Sequence, residues 1–463
     1  MGKKTVIIGG GPAGYVSALR AAQLGMDVVL IEQRDIGGTC LNRGCIPTKA
    51  LLQSASVLRV FQNAADFGLV AEDPYLDYSR VNQRKEQIIT KLRTGIGGLL
   101  KASGVRVVVG SASFVSDREI KVKAKDGSEI LFSADSFIIA TGSSPIRPPI
   151  PGIEEDRVMT SDEVFSLEDV PEKLLIIGGG VIGVEMATIY ASFGAEVVIV
   201  EMIDRLLPTF DRDISEEVCR QLKRMGVELH LSCKVERFVW QNGRYTAIVE
   251  DKAGKQIVIP AEKTLMSIGR KANVKNLGLE NAGVKYDRVI PVDDHMRTNI
   301  SHIYAAGDVN GGIQLAHVAS HEGILAAENA VGLDVSDDFR CVPSCVYTFP
   351  EIASTGMTEQ EAVQKGIQIK IGRFPFSANS KAVIENDAHG FVKVIADASD
   401  DRLLGVHIIG PHATALICEA VLAIEKNMSL SDLTKTIHAH PTVGEAVQEA
   451  ALSANHLAIH TLN

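Results

Sequence analysis

Cysteine is scarce, with seven in 463 residues. That rules out a disulfide-scaffolded secreted domain and favours a reducing compartment, so a cytoplasmic setting is expected. Basic clusters are missing too: 47 Lys and Arg stand against 57 Asp and Glu, a formal net charge of −10. Nothing here is arranged to neutralise a phosphate backbone, so nucleic acid is not an expected partner. No apolar run is long enough to cross a bilayer; the longest, "LLIIGGGVIGV", is bounded by Lys173 and Glu185. The opening "MGKKTVIIGGG" enters a strand-like run at once, without the apolar core and cleavage site of an export signal. The remainder is 46% apolar and 22% charged, a globular composition long enough for three or four domains.

What the sequence does contain is a repeat. "VIIGGGPAG" (6–14) recurs as "LIIGGGVIG" (175–183), and "LGMDVVLIE" (24–32) recurs as "FGAEVVIVE" (193–201), both displaced by 169 positions. Each copy reads as a buried strand, a glycine turn, a helix, and a second strand ending in a carboxylate. Gly9, Gly11, Gly14 and Glu32 form the first set, and Gly178, Gly180, Gly183 and Glu201 the second. A dinucleotide site needs this arrangement: a tight turn, a backbone able to approach a pyrophosphate, helix-terminal N–H groups facing the anion, and a carboxylate for a ribose diol. One glycine motif alone also fits an ordinary strand–turn–helix; the pair, in register, points to two dinucleotides.

The N-terminal site is expected to hold FAD, because two further segments suit flavin contacts. "SFIIATGSSP" (136–145) is a strand running into Thr141 and Gly142, and "TNISHIYAAGDV" (298–309) is another, ending at Gly307 and Asp308. An Asp beside a glycine at a strand end can take a ribityl hydroxyl. Taken alone, each segment reads equally well as a capped turn. Glu201 accepts from a 2′-hydroxyl and repels a 2′-phosphate, so the second site should prefer NAD to NADP, although Arg205 lies four residues on.

In "IGGTCLNRGCIPTK" (36–49), Cys40 and Cys45 lie five positions apart. A metal would need three or four ligands, and no further His or Cys sits at ligand spacing. A structural staple closing so short a loop would constrain little. A pair that opens and closes fits better, since "PTKALLQSASVLRVF" reads as a helix whose N-terminus would favour a thiolate on Cys45.

"VIIGGGPAG", "GGTCLNRGCIPTKALL", "ATGS", "LIIGGGVIGVE", "SIGRKAN", "IYAAGDV" and "HAHPTVGE" together, in this order, cover nearly the whole chain. The set resembles the flavoprotein disulfide reductases (pyridine nucleotide-disulfide oxidoreductases), and within them the members that oxidise dihydrolipoyl groups with NAD. The resemblance implies an α/β fold: two Rossmann-like dinucleotide-binding domains, for FAD and NAD, plus an α+β C-terminal dimerisation domain. It divides the chain into an FAD domain (1–148), an NAD domain (149–270), a central domain completing the FAD site (271–340) and an interface domain (341–463).

The resemblance also assigns roles. Cys45 matches the cysteine against the flavin, and Cys40 the one that exchanges with a substrate dithiol, the two forming the redox disulfide. Lys49 matches a lysine beside the flavin ring, and Ala316 joins Thr141, Gly142 and Asp308 around FAD. Glu185 and Gly269 join the second glycine set near NAD. His440 matches the general base and Glu445 the carboxylate that orients it; from "HAHPTVGEA" alone, His440 reads as a histidine capping a turn before Pro441, and His438 is a decoy. In the family the base comes from the other subunit of a homodimer, and the substrate is a lipoyl-bearing protein of a 2-oxo acid dehydrogenase complex or the glycine-cleavage system. The lipoyl carrier is expected to be a separate chain, and no metal site is expected.

Three departures from the family pattern stand out. Lys381 replaces an expected arginine, Ala415 a frequent glutamate, and Cys341 and Cys345 usual apolar residues; the two cysteines are expected to be buried and structural. Among sibling readings, a glutathione reductase would carry basic residues near Glu201, a mercuric reductase a C-terminal cysteine pair that "LAIHTLN" lacks, and a soluble transhydrogenase no cysteine pair. A non-catalytic flavoprotein would have no use for Cys40, Cys45, His440 and Glu445 together.

Overall fold

The computed structural model describes residues 2–70, 75–153, 157–241 and 244–462. The two repeat units are the centres of two parallel sheets. In the first, the strand order is Ile303–Ala305, Ser136–Ile139, Lys4–Ile8, Asp27–Glu32, Arg106–Val109; in the second, Glu228–Leu231, Glu196–Glu201, Lys173–Ile177, Lys263–Met266, Val158–Thr160. The sequence repeat is a repeat of register. Lys4 stands opposite Asp27 and Ile8 opposite Ile31, just as Lys173 stands opposite Glu196 and Ile177 opposite Val200. These central strands are covered on both faces, which is why they read as unbroken runs such as "VVLI" instead of alternating. Helices Pro12–Gln23 and Val181–Ser192 start at matching points after the glycine turns.

Each parallel sheet carries a three-stranded antiparallel appendage, Ser111–Ser116 with Glu119–Lys123 and Glu129–Ser133 in one, and Cys233–Gln241 with Arg244–Asp251 and Gln256–Ala261 in the other. The chain passes into and out of the second unit through a short antiparallel pair, Ser143–Pro145 against Arg270–Ala272. The C-terminal part is a five-stranded antiparallel sheet in the order Ser344–Val346, Glu351–Gly356, Leu403–Gly410, Phe391–Asp397, Ile369–Pro375. Helices Ala413–Glu425 and Glu445–Ser453 pack on it through Ile417, Ala420, Ala446, Val447 and Ala450. Among the described residues no helix is long and apolar enough to cross a membrane.

An ionic node that no sequence pattern announces joins the C-terminal sheet to the second unit. The ammonium of Lys393, 0% exposed, sits 2.9 Å from Asp211, 2.8 Å from Asp213 and 2.5 Å from Glu359. Asp211 also caps helix Arg212–Arg224 through the Asp213 N–H. The three carboxylates lie close enough together to hold a metal ion, but the lysine already supplies their cation. Removing one partner of a buried ion cluster leaves uncompensated charge, so Lys393→Met should lower stability by about 3–5 kcal/mol. Chemical denaturation read by tryptophan fluorescence checks this; an unshifted midpoint would contradict it.

Candidate functional site: two dinucleotide clefts meeting at a dithiol

The two glycine loops are built alike. Gly9 and Gly178 have φ of +106° and +107°, and a side chain on either would collide with a carbonyl oxygen, of Ala140 or Ser267 respectively. Gly14 and Gly183 pack against the carbonyls of Gly9 and Gly178, where a Cβ would stand only 1.7 and 2.0 Å away. The middle glycine of each loop differs: a Cβ on Gly11 would meet only the Gly38 Cα at 3.8 Å, and one on Gly180 nothing within 4 Å. The packed glycines thus bring strand and helix together, while the middle one leaves bare backbone at a helix N-terminus, where a pyrophosphate fits.

The carboxylates also correspond. Glu32 accepts from the N–H of Gly10 at 2.7 Å and of Arg34 at 2.6 Å; Glu201 accepts from Gly179 at 2.6 Å and Ile203 at 2.9 Å. Each is held at its loop with lone pairs to spare for a ribose. Arg205 turns away to the Pro208 carbonyl, 3.1 Å from it, instead of facing outward to meet a 2′-phosphate.

The stretch ahead of the cysteines docks directly on the first loop. Gly37 N–H donates to Gly10 O at 2.8 Å, and a Cβ on Gly38 would lie 2.5 Å from the Gly11 Cα. Cys40 lies in helix Gly38–Arg43, and helix Cys45–Gln62 begins at Cys45 itself, two residues before "PTK". Both sulfurs are free thiols here, the reduced state of the pair. The Cys40 thiol hydrogen-bonds the Cys45 sulfur; that bond, helped by Lys49 one turn along the helix and opposed by burial, lowers the Cys45 pKa to about 7. Cys40 is pushed strongly upward by the same bond and by burial. One sulfur is poised as a thiolate and the other holds the proton.

Lys49 does more than lie beside a flavin position. Its ammonium is 2.8 Å from the Glu185 carboxylate, whose Oε1 also accepts from the Tyr347 N–H at 2.9 Å, and it sits 4.4 Å from the Tyr347 ring centroid. Glu185 is buried in helix Val181–Ser192 of the second unit. Three parts of the chain therefore meet beside Cys45, and Tyr347 is a member that sequence reading missed.

The other assigned flavin residues gather around two crosslinks. Asn273 clasps Thr141: its carbonyl accepts from the Thr141 hydroxyl at 2.8 Å, its side chain donates to the Thr141 carbonyl at 2.9 Å, and its N–H donates to Gly142 O at 2.9 Å. Asp308 accepts from the Ser143 hydroxyl at 2.5 Å, and Arg270 donates to both Oγ and O of Ser143 at 2.7 Å. Behind Asp308, buried Glu322 accepts from the Gly307 N–H at 2.5 Å and from Asn310 at 2.9 Å; burial pushes its carboxyl upward. Asn273, Ser143 and Arg270 lie inside quoted motifs but were given no role, because their contacts span more than a hundred residues. Ala316 opens helix Ala316–Val331, so its N–H is one of the unpaired helix-terminal donors. Gly269, at φ +122°, lies on the loop after Lys263–Met266 and accepts from the Ile146 N–H.

His440 and Glu445 form a pair, Nδ1 to Oε1 at 2.9 Å, and Glu445 also accepts from the Thr442 N–H at 2.8 Å. Partial burial pushes the Glu445 carboxyl up, but the Thr442 and His440 bonds outweigh it and hold it below its ordinary value. The His440 side chain is 72% exposed, whereas that of His438 is 10% exposed and engaged by Glu419 and the Thr436 carbonyl. The decoy is thus sequestered and His440 presented. No hydrogen bond or ion pair among the described residues joins His440 to Cys40 or Cys45 of its own chain.

One expectation needs correcting. Cys341 and Cys345 are half-buried, not buried. The Cys341 thiol meets the Val421 carbonyl and the Thr355 hydroxyl, both at 3.4 Å, polar partners that keep it near the surface. Lys381 keeps a partner despite losing the arginine fork, with Glu385 one turn on at 3.1 Å.

Comparison with known proteins agrees with this geometry. Residues 3–323 match the family model described as pyridine nucleotide-disulphide oxidoreductase, and residues 342–451 match that family's dimerisation domain. A dihydrolipoyl dehydrogenase of Bacillus subtilis is 43% identical, over 98% of each chain. One of Thermus scotoductus is 42% identical over 99% of this chain and 98% of its own. Among solved structures, LpdA from Mycobacterium tuberculosis superimposes with a TM-score of 0.90 at 28% identity, covering 97% of this chain and 99% of that one. The HOCl-induced flavoprotein disulfide reductase RclA from Escherichia coli gives 0.86 at 30%, with the same coverage. With two matched dinucleotide loops, a polarised dithiol between them and a dimerisation domain behind, the chain belongs to the pyridine nucleotide-disulphide oxidoreductases.

Proposed function

We propose that this protein is a dihydrolipoyl dehydrogenase: an NAD-dependent FAD disulfide oxidoreductase that oxidises dihydrolipoyl groups and works as a homodimer. The observation that carries the reading is the polarised Cys40–Cys45 pair, with a thiolate-prone Cys45 beside Lys49 and Glu185 where the two clefts meet. FAD and NAD are the cofactors. The substrate is the lipoyl group of a carrier protein of a 2-oxo acid dehydrogenase complex or the glycine-cleavage system, and the setting is cytoplasmic. The domain boundaries near 148, 270 and 340 belong to this proposal.

The chemistry follows from the asymmetry of the two sulfurs. One substrate thiol gives its proton to His440 and attacks the Cys40 sulfur of the disulfide as the thiolate; Cys45 leaves, the better leaving group because its pKa is lower. The second substrate thiol then attacks the substrate sulfur of the mixed disulfide while its proton passes to the departing Cys40 sulfur. The S–S bond to Cys40 breaks; the substrate leaves as the cyclic disulfide, and Cys40 takes a proton, as its high pKa favours. Held at the Gly9–Gly14 loop with Glu32 and Asp308, FAD would supply the two-electron chemistry that links the dithiol to NAD at the Gly178–Gly183 loop. Lys49 would set a positive charge beside the flavin, held in place by Glu185. Glu445 orients the His440 ring and steadies its cation. Because His440 is exposed and joined to no cysteine of its own chain, the base at each dithiol is the partner subunit's His440.

Absorbance at the NADH band, with dihydrolipoamide and NAD as substrates, tests the function. Rapid turnover that NADP does not support and glutathione does not replace is expected. Bound flavin without dihydrolipoamide turnover would overturn the reading.

A further inference from the structure

Helix Glu445–Ser453 carries a second carboxylate one turn beyond Glu445, on the same face. Glu449 is buried, its side chain 9% exposed, and the base reaction as described does not use it. The segment following the helix folds back over it. The Ile459 and His460 N–H groups donate to Glu449 Oε2 at 3.2 and 3.4 Å, and His460 Nδ1 lies 2.8 Å from Glu449 Oε1. The arrangement copies the one at Glu445, where His440 lies 2.9 Å from Oε1 and the Thr442 N–H binds Oε2. Two like charges at this spacing repel, and each here has its own imidazole, one entering before the helix and one after it. His460 also acts on Glu445 directly, adding to the forces that hold its carboxyl down.

We propose that Glu449 and His460 are a second imidazole–carboxylate pair that positions, and electrostatically sets, the His440–Glu445 base. Its net charge is −1 with His460 neutral and zero with His460 protonated, so the field at the base depends on the charge of His460. The charged groups on the elements packed against this helix are engaged elsewhere. Lys370 pairs with Asp401, Arg373 with Asp213, Lys393 with its three carboxylates, and Asp397 accepts from the Ser399 N–H and hydroxyl. Asp432 closes the Ser429 cap with Lys435 nearby, and His438 is held by Glu419. His460 is therefore the imidazole whose charge the base pair faces most directly. This rests on His440 being the base.

The sign follows from charge. In His460→Asn the Glu449 carboxylate is never neutralised, so His440 holds its proton more tightly. The acid limb of dihydrolipoamide kcat/KM should then move to higher pH by about 0.3–0.6 unit, the effect of one screened charge a helical turn away. Below the limb, turnover should fall about two- to four-fold. Glu449→Gln should move the limb to lower pH, and the double variant should return it close to the wild-type position. NADH-to-dye transfer, which needs no base, should be indifferent to all three substitutions at every pH.

Limbs that do not move, that move in the same direction in both single variants, or that are matched by the dye assay would overturn the proposal. His440→Gln separates the two readings. If it leaves the wild-type limb in place, the base assignment itself has failed. If it abolishes the limb while His460→Asn and Glu449→Gln leave it unmoved, only the second pair's role is lost.

Discussion

Cys45→Ser should abolish dihydrolipoamide oxidation, by at least about 10³-fold in kcat, while the protein keeps its flavin and still passes electrons from NADH to a dye. Serine cannot form the disulfide, so no exchange chemistry remains, yet neither glycine loop nor the Asn273 clasp on Thr141 involves residue 45. Two optical signatures should vanish together. The first is the long-wavelength charge-transfer absorbance expected on two-electron reduction, which requires a thiolate against the flavin. The second is an ultraviolet thiolate absorbance that, in the reduced wild type, should develop with a midpoint at about pH 7. The direction follows from the lowered pKa: above the midpoint Cys45 is ionised, below it both sulfurs carry protons. Cys40→Ser should leave the charge-transfer band obtainable, since Cys45 survives. A normal band in Cys45→Ser would reject the role given to that sulfur.

His440→Ala should slow dithiol turnover by about 10²–10⁴-fold, the usual worth of a general base. The loss should shrink as pH rises toward the alkaline range in which the substrate thiol ionises unaided and the solution supplies the thiolate. NADH-to-dye transfer should hardly change, because no proton leaves a thiol in that half of the cycle. Glu445→Gln should cost less than His440→Ala, since the amide oxygen can still accept from the Thr442 N–H but no longer offsets an imidazolium charge. Equal losses in the dithiol and dye assays would mean that residue 440 supports the fold and not the proton transfer.

The parts of this architecture that sequence reveals are those written in local pattern. The 169-residue displacement carried over into strand register because a buried parallel strand, a glycine turn and a helix must occupy fixed positions relative to one another. The two cysteines were legible because few chemistries want that pair ahead of a helix. Both belong to the stretch 36–49. Gly37 and Gly38 dock that stretch on the phosphate loop, so the sulfurs come to lie where the two clefts meet.

What was not legible is long-range. The Lys49–Glu185 pair joins residues 136 apart, and the Lys393–Asp211 pair residues 182 apart. No spacing rule predicts either, because each contact exists only once separate elements have packed. Glu449 and His460 are close in sequence, yet an isolated Glu eleven residues before a His resembles any solvated pair until the tail is seen folded back. The half-burial of Cys341 and Cys345 was missed for a related reason. Composition ranks cysteine as a core residue, but the Thr355 hydroxyl and Val421 carbonyl hold one of them at the rim.

The central claim is that each working site unites one chain's dithiol with the other chain's base, and co-expressing Cys45→Ser with His440→Ala tests it most directly. Each variant alone should be nearly inactive toward dihydrolipoamide. In a hybrid dimer, one site would receive an intact Cys45 from one chain and an intact His440 from the other, so random pairing should restore about a quarter of wild-type turnover. If the mixture stays as inactive as its components although hybrid dimers form, the base does not cross the interface and the account fails.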